Sequence, residues 1–218
     1  MARNRRSNPL ALAVLVTLFD GPQHPYDIAR TLRYRQHDRS MRLNFGSLYA
    51  VVNSLAERAL IEVVDTERAG NRPERTVYAV TDAGRGESLD WLAELLGQPA
   101  KEYPQFEAAL TLVAALDPDE VAELLAGRLD ALDQQLAIDA LALEAGRREL
   151  GLPRLFILEA EYDLALRRAE AEFVRALVAE LRDGSFPDLT LWRRIAAGDV
   201  PPDWSAPPPD SPSTTQEA

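Results

Sequence analysis

Glu159, Glu161 and Asp163 are the best cluster in the chain for acid/base or metal chemistry. Their spacing of two spreads the carboxylates around a helix instead of gathering them on one face, and neither His24 nor His37 lies near them. They read as a solvated face. Cysteine is absent, which removes thiolate metal sites and disulfides and fits a reducing cytoplasm. Two histidines cannot plausibly complete a zinc site or a Ser-His-Asp arrangement, and there is no phosphate-binding glycine loop or cofactor fingerprint. The expectation is a chain that is not an enzyme and holds no metal and no cofactor.

The side chains that remain make hydrogen bonds rather than break covalent ones. Ser47, Ala50, Asn53 and Ser54 form a small, hydrogen-bonding surface of the kind that approaches base edges in a major groove, and the Tyr49 hydroxyl beside them is placed to reach a phosphate oxygen. Arg39, Arg42, Arg72 and Arg75, with Asn71, are candidates for the phosphate backbone or a minor groove. Tyr26 joins this set, although such a position more often belongs to a core.

These residues need elements to present them. From Leu48, steps of 100° bring Leu48, Val52, Leu55 and Ala59 to one side of a helix and Ser47, Ala50, Asn53, Ser54 and Glu57 to the other. Tyr49 sits on the flank, and Ser47 is placed to cap or open the first turn. An ordinary half-buried helix would show the same pattern. The segment C-terminal to the helix separates the two cases: Ile61–Asp65 and Thr76–Val80 are β-branched and alternating, and Glu67 to Arg75 between them holds Gly70, Asn71 and Pro73. A helix feeding into a two-stranded ribbon with a basic tip is a recognition helix with its wing. Thr81 is the expected N-cap of the next helix.

Three separated motifs, Asp20-Gly21-Pro22-Gln23-His24-Pro25-Tyr26-Asp27-Ile28, then Gly46-Ser47-Leu48-Tyr49, then Asn71-Arg72-Pro73 followed by Tyr78-Ala79-Val80-Thr81-Asp82-Ala83-Gly84, resemble the PadR-type transcriptional regulators over roughly the first ninety residues. Pro25 and Asn71 stand where that family usually has glycine, Ala50 where it usually has proline, and Ala59 where glycine commonly precedes Leu-Ile. The resemblance implies a dimeric winged-helix transcription factor, often a repressor, whose helical C-terminal part dimerises and in some members senses a small molecule.

Elsewhere the chain is acidic. The net charge is −11, but residues 1–80 carry twelve arginines against eight acidic residues, or +4, which leaves −15 for the rest. The basic part is the part expected to meet DNA, and the acidic part would suppress non-specific binding. Arg3, Arg5 and Arg6 read as a basic arm or a solvated tail. A signal peptide is the other reading of this end, since Leu10 to Phe19 is apolar; Asp20-Gly21-Pro22 comes next instead of a small-residue cleavage site, and the run is far short of the ~20 residues that span a bilayer.

Helix one is expected over Pro9–Leu18, helix two from Pro25 to Tyr34 with Ile28 and Leu32 inward and Arg30 and Arg33 outward, and a fourth helix from Asp82 to Gly97 with Leu89, Leu92 and Leu96 on one side and Trp91 beside them. Past Gln98-Pro99, Leu125, Leu129, Leu132, Leu136, Ala140 and Leu143 mark one long helix, and Leu158, Tyr162, Leu166, Ala169, Phe173, Leu177 and Leu181 a second. Such a hairpin exposes apolar surface until it meets a partner, so a homodimer is expected through this region. Trp91, Phe106, Tyr162 and Phe173 are candidates to line a small-molecule effector pocket, though plain core or interface is the more ordinary role of such aromatics.

The expected organisation is therefore mainly α: residues 1–97, a winged helix-turn-helix with a three-helix core and a two-stranded wing; residues 98–198, a helical dimerisation and effector region; residues 199–218, a proline-rich disordered tail. The expected partners are double-stranded DNA carrying an inverted-repeat operator, a second copy of the chain and a small-molecule effector, with no membrane. The competing function is a winged-helix protein-interaction adaptor without specific DNA binding.

Overall fold

The computed structural model describes residues 8–41, 43–67 and 75–199, with only the backbone of Arg39, Thr66, Glu67 and Arg75. The chain divides into two compact units, Met1–Glu102 and Tyr103–Ala218.

In the first unit, α1 (Pro9–Thr17) starts at Asn8, whose Oδ1 accepts the Leu10 N–H at 3.1 Å. Leu10, Ala11, Leu12, Val14, Leu15 and Thr17 are buried, so α1 is covered on most of its circumference and shows no amphipathic stripe. It tightens into a 3₁₀ turn over Leu18–Asp20 rather than continuing as α-helix through Leu18. Then α2 (Pro25–Tyr34) is capped by His24 and buries Ile28, Ala29 and Leu32, with the proline in its first turn as expected. A 3₁₀ turn over His37–Arg39 leads to α3 (Phe45–Glu57), which packs Leu48, Val51, Val52 and Leu55 into the same core.

Just past α3, Ala59 adopts φ +54°, the left-handed conformation that turns the chain into the ribbon. Ala59 is therefore the exposed turn residue and lies off the apolar face expected to include it. Strands β1 (Ile61–Glu67) and β2 (Arg75–Val80) pair antiparallel, from Ile61↔Val80 out to Glu67↔Arg75, with a bulge between Val63 and Asp65. The strands are longer than the sequence pattern indicates because Glu67 and Arg75 still pair. Gln23 and Tyr78 exchange two backbone hydrogen bonds of 2.9 and 3.0 Å, which ties the entry to α2 to the root of the wing.

Thr81 caps α4 (Asp82–Gly97), its Oγ1 accepting from the Gly84 N–H at 3.0 Å. The same hydroxyl reaches the carbonyls of Ala59 at 2.8 Å and Leu60 at 3.1 Å, one of which takes its proton. Against the expected leucine face, α4 buries Gly84, Ser88 and Trp91 and exposes Leu89, Leu92 and Leu96. Gly84 lets the start of the helix approach the Leu60 backbone closely, which turns this face inward.

In the second unit, α5 (Gln105–Leu110) and a 3₁₀ turn over Val113–Ala115 precede α6 (Pro118–Arg148), which Asp117 caps. After a 3₁₀ turn over Arg154–Phe156, α7 (Leu158–Asp183) runs back along α6 and ends at Gly184 with φ +77°; α8 (Leu189–Ala196) closes the unit. Ion pairs Arg182–Glu123, Arg175–Asp133, Arg128–Glu170 and Arg147–Glu161 follow an antiparallel register. The core joins Val121, Ala122 and Leu125 to Val174, Val178, Leu181 and Trp192, whose indole N–H donates to the Leu116 carbonyl at 2.9 Å. The α6 stripe is only half-buried beyond Leu125. On α7, Leu158, Tyr162, Leu166, Ala169 and Phe173 are exposed, while Leu164, Ala171, Val174, Val178 and Leu181 face inward. Thus α7 is apolar on two faces, and the stripe chosen by spacing meets the core only at its C-terminal end, through half-buried Leu177 and buried Leu181.

Candidate nucleic-acid interface

The candidate surface is built on α3. Asn44 caps it: its Oδ1 accepts the Ser47 N–H at 2.7 Å, and the Ser47 hydroxyl donates to the Asn44 carbonyl at 3.0 Å. This corrects the capping role expected of Ser47, which occupies the third helical position and closes the turn onto the true cap. With one side of α3 committed to the core, Tyr49, Ala50, Asn53, Ser54 and Glu57 face outward. Among the described residues, Asn53 and Ser54 make no side-chain hydrogen bond, so their donors and acceptors remain available.

The arginines around this face are not equivalent. Arg35 pairs with Asp20 at 2.7 Å and Arg30 with Asp27 at 3.3 Å. Arg58, just past α3, approaches Glu87 of α4 at 3.7 Å. Arg33 instead lies 4.6 Å from the centroid of the Phe45 ring, and Phe45 in turn stacks on Tyr26 with centroids 6.0 Å apart and planes within 7°. Tyr26 is 51% exposed, so it belongs to this surface and not to the core.

Arg42, Asn71 and Arg72 lie outside the described residues, as do the side chains of Arg39 and Arg75; the Arg75 backbone ends the ribbon opposite Glu67. Neither Phe45 nor Arg33 stands out as a site residue from sequence. The available signal was the spacing of seven between Tyr26 and Arg33, which puts both on one face of α2.

Of the four aromatic effector candidates, one belongs to the first unit and three to the second. Trp91 is a core residue of the first unit, 2% exposed, with no hydrogen-bond partner for its indole N–H among the described residues. Phe106 packs on the core of the second unit beneath Arg128, whose guanidinium lies 3.9 Å from its ring. Tyr162 and Phe173 are exposed on α7, about 16 Å apart along the helix at 1.5 Å per residue. Two of the three clustered carboxylates, Glu161 and Asp163, form salt bridges. Glu161 pairs with Arg147 and with Arg154, whose hydrogen bond holds its pKa below the ordinary value, and Asp163 pairs with Arg167 at 3.0 Å. Among the described residues no group of His, Asp or Glu could hold a metal ion, and no helix is long and apolar enough to cross a membrane.

Residues 14–89 match the family model described as the Transcriptional regulator PadR-like family. Among solved structures the chain is similar to Bacillus subtilis PadR in complex with operator DNA, at 19% identity and a TM-score of 0.62, covering 80% of this chain and 99% of that one. It is similar to the same protein in complex with p-coumaric acid, at 19% identity and a TM-score of 0.61, covering 79% and 98%. A third neighbour is the Vibrio cholerae virulence activator AphA, at 21% identity and a TM-score of 0.60, covering 80% and 98%. No curated protein matches the chain. At these identities the likeness shows the fold, a winged helix-turn-helix followed by a helical region, and the matched family is one of transcriptional regulators rather than enzymes.

Proposed function

We propose that this chain, whose residues 14–89 belong to the PadR-like family of transcriptional regulators, is a cytoplasmic, dimeric, sequence-specific DNA-binding repressor. The observation that carries the reading is the division of α3 into a face buried through Leu48, Val51, Val52 and Leu55 and an opposite face of exposed, hydrogen-bonding Tyr49, Asn53 and Ser54. A helix fixed this firmly on one side can lie in a major groove and bring the other side to base edges. Ala50 among them is small enough to let the helix sit deep.

The exposed stripe of Leu158, Tyr162, Leu166 and Phe173 on α7 supports the dimer, since contiguous apolar surface on a regular helix is what a second copy would cover. Two copies would present two α3 helices to half-sites about one helical turn apart. By likeness to the neighbour solved with p-coumaric acid, a small molecule is the expected effector that relieves binding. The test is selection of bound fragments from random duplex DNA by the purified protein, followed by a salt titration and a reporter carrying the selected sequence. The reading expects an inverted repeat, a log–log salt slope of several units and lowered reporter output. No enrichment would instead favour a winged-helix adaptor that binds protein.

A further inference from the structure

Composition makes the arginines of α2 and the turn after it look interchangeable, but their surroundings separate them. Arg30 and Arg35 are neutralised by Asp27 and Asp20 at 3.3 and 2.7 Å. Arg33 has no carboxylate partner among the described residues. Its guanidinium is held by the ring of Phe45, 4.6 Å away at the start of α3, and Phe45 is backed by the nearly parallel ring of Tyr26. An exposed aromatic is costly to leave in water, and Phe45 is 40% exposed beside the very helix that faces outward. Tyr26, Phe45 and Arg33 thus form a surface shelf joining the two helices of the helix-turn-helix.

A shelf of this kind fixes a cation without using its hydrogen-bonding capacity. The Arg33 Cζ lies over the Phe45 ring, a contact that uses no N–H donor, and Arg33 makes no hydrogen bond among the described residues. An arginine held by an ion pair has spent its donors on a carboxylate that an incoming anion must displace. Arg33 therefore offers an unneutralised fork, already restrained, matching the paired oxygens of a phosphate. We propose that Arg33 is a DNA backbone contact, and that Phe45 and Tyr26 are positioning residues that hold it in place. This rests on the DNA-binding reading above and adds to it a residue and a mechanism that arginine content alone does not single out.

The experiment compares wild type, Arg33→Gln, Arg33→Lys, Phe45→Leu and Arg35→Gln on two duplexes, one enriched from a random pool by the wild-type protein and one of random sequence. Circular dichroism melts establish that each variant is folded. Arg33→Gln is expected to weaken binding to both duplexes by a similar factor, roughly tenfold, and to reduce the log–log salt slope by about 0.9. Arg33→Lys keeps the charge and so the slope, but loses affinity because an ammonium lacks the planar fork that matches paired phosphate oxygens. Phe45→Leu likewise keeps the slope and weakens binding roughly two- to fivefold. Arg35→Gln changes affinity by less than about twofold, since its charge is already offset by Asp20. If the wild type binds and Arg33→Gln keeps both its affinity and its slope, or merely matches Arg35→Gln, the assignment of Arg33 is overturned while the DNA-binding reading stands. If the folded wild type binds neither duplex, the DNA-binding reading falls and this proposal with it.

Discussion

Replacing Gly84 with alanine should destabilise the first unit although it puts a better helix former inside a helix. A Cβ built on Gly84 falls 1.9 Å from the Leu60 carbonyl oxygen, 2.9 Å from its carbon and 3.1 Å from Val80 Cγ2. Reaching 3.0 Å, the lower edge of real contacts, requires a movement of about 1.1 Å. The obstacle is backbone at the junction of α3 and β1, so no side chain can rotate out of the way. Overpacking of this kind costs about 1–3 kcal/mol. The Thr81 hydroxyl bridge to Ala59 and Leu60 would be disturbed as well, at about 1 kcal/mol. Against these stands a propensity gain of about 1 kcal/mol for alanine over glycine. The net loss is about 1–3 kcal/mol, or a fall of roughly 5–20 °C in the melting temperature of a domain this size. Gly86 is the control, because it lies on the same helix with nothing within 4 Å of its would-be Cβ; Gly86→Ala should raise stability by up to about 1 kcal/mol. Scanning calorimetry on the two variants checks the pair. Equal melting temperatures for both would refute the close-approach argument.

Ala59→Gly removes a left-handed strain of about 1–2 kcal/mol at φ +54° and adds a smaller entropic cost. Urea unfolding should show a gain of about 0.5–1 kcal/mol, and a loss would contradict it. Leu166→Glu places a charge in the exposed α7 stripe without touching the buried face. Sedimentation should show dissociation to monomers with the helix content retained, whereas an unchanged mass would place the dimer contact elsewhere. Glu161 has a folded pKa below its usual 4.5, through the hydrogen bond to Arg154 and then the pairing with Arg147. The stabilisation it contributes is therefore complete above that value and disappears as pH falls through the lower folded pKa. The difference in melting temperature between wild type and Glu161→Gln should shrink on acidification below about pH 4.5, and a constant difference would remove Glu161 from the acid response.

Local chemistry made much of the fold readable. Pro25 with Ile28 and Leu32 set α2, Thr81 with Gly84 set the start of α4, and Asp117-Pro118 opened α6. The expectations that failed involve a choice between two apolar faces. On α4 the leucines form the more hydrophobic stripe, but the face with Gly84, Ser88 and Trp91 is buried, with Gly84 set close against the Leu60 backbone. On α7 the stripes through Leu166 and through Val174 are both periodic, and spacing cannot tell which one meets α6. The Gln23–Tyr78 bridge joins residues far apart in sequence and left no local trace. At the candidate site, the outward face of α3 was legible from its period, whereas Asn44 was missed as the cap because the apolar pattern draws attention to Ser47. The pairing of Arg30 and Arg35 and the stacking of Arg33 depend on neighbours that a charge count does not contain.

The most direct test of the central claim, that the exposed face of α3 reads bases, is the affinity of Asn53→Ala for a selected duplex and for a random one. Asn53 is exposed and lies on the face of α3 away from the core, so its truncation should leave the melting temperature unchanged. A base-reading Asn53 predicts a loss of about 1–3 kcal/mol on the selected duplex and little change on the random one. Equal affinities of wild type and variant on both duplexes would contradict a base-reading role for Asn53 on α3.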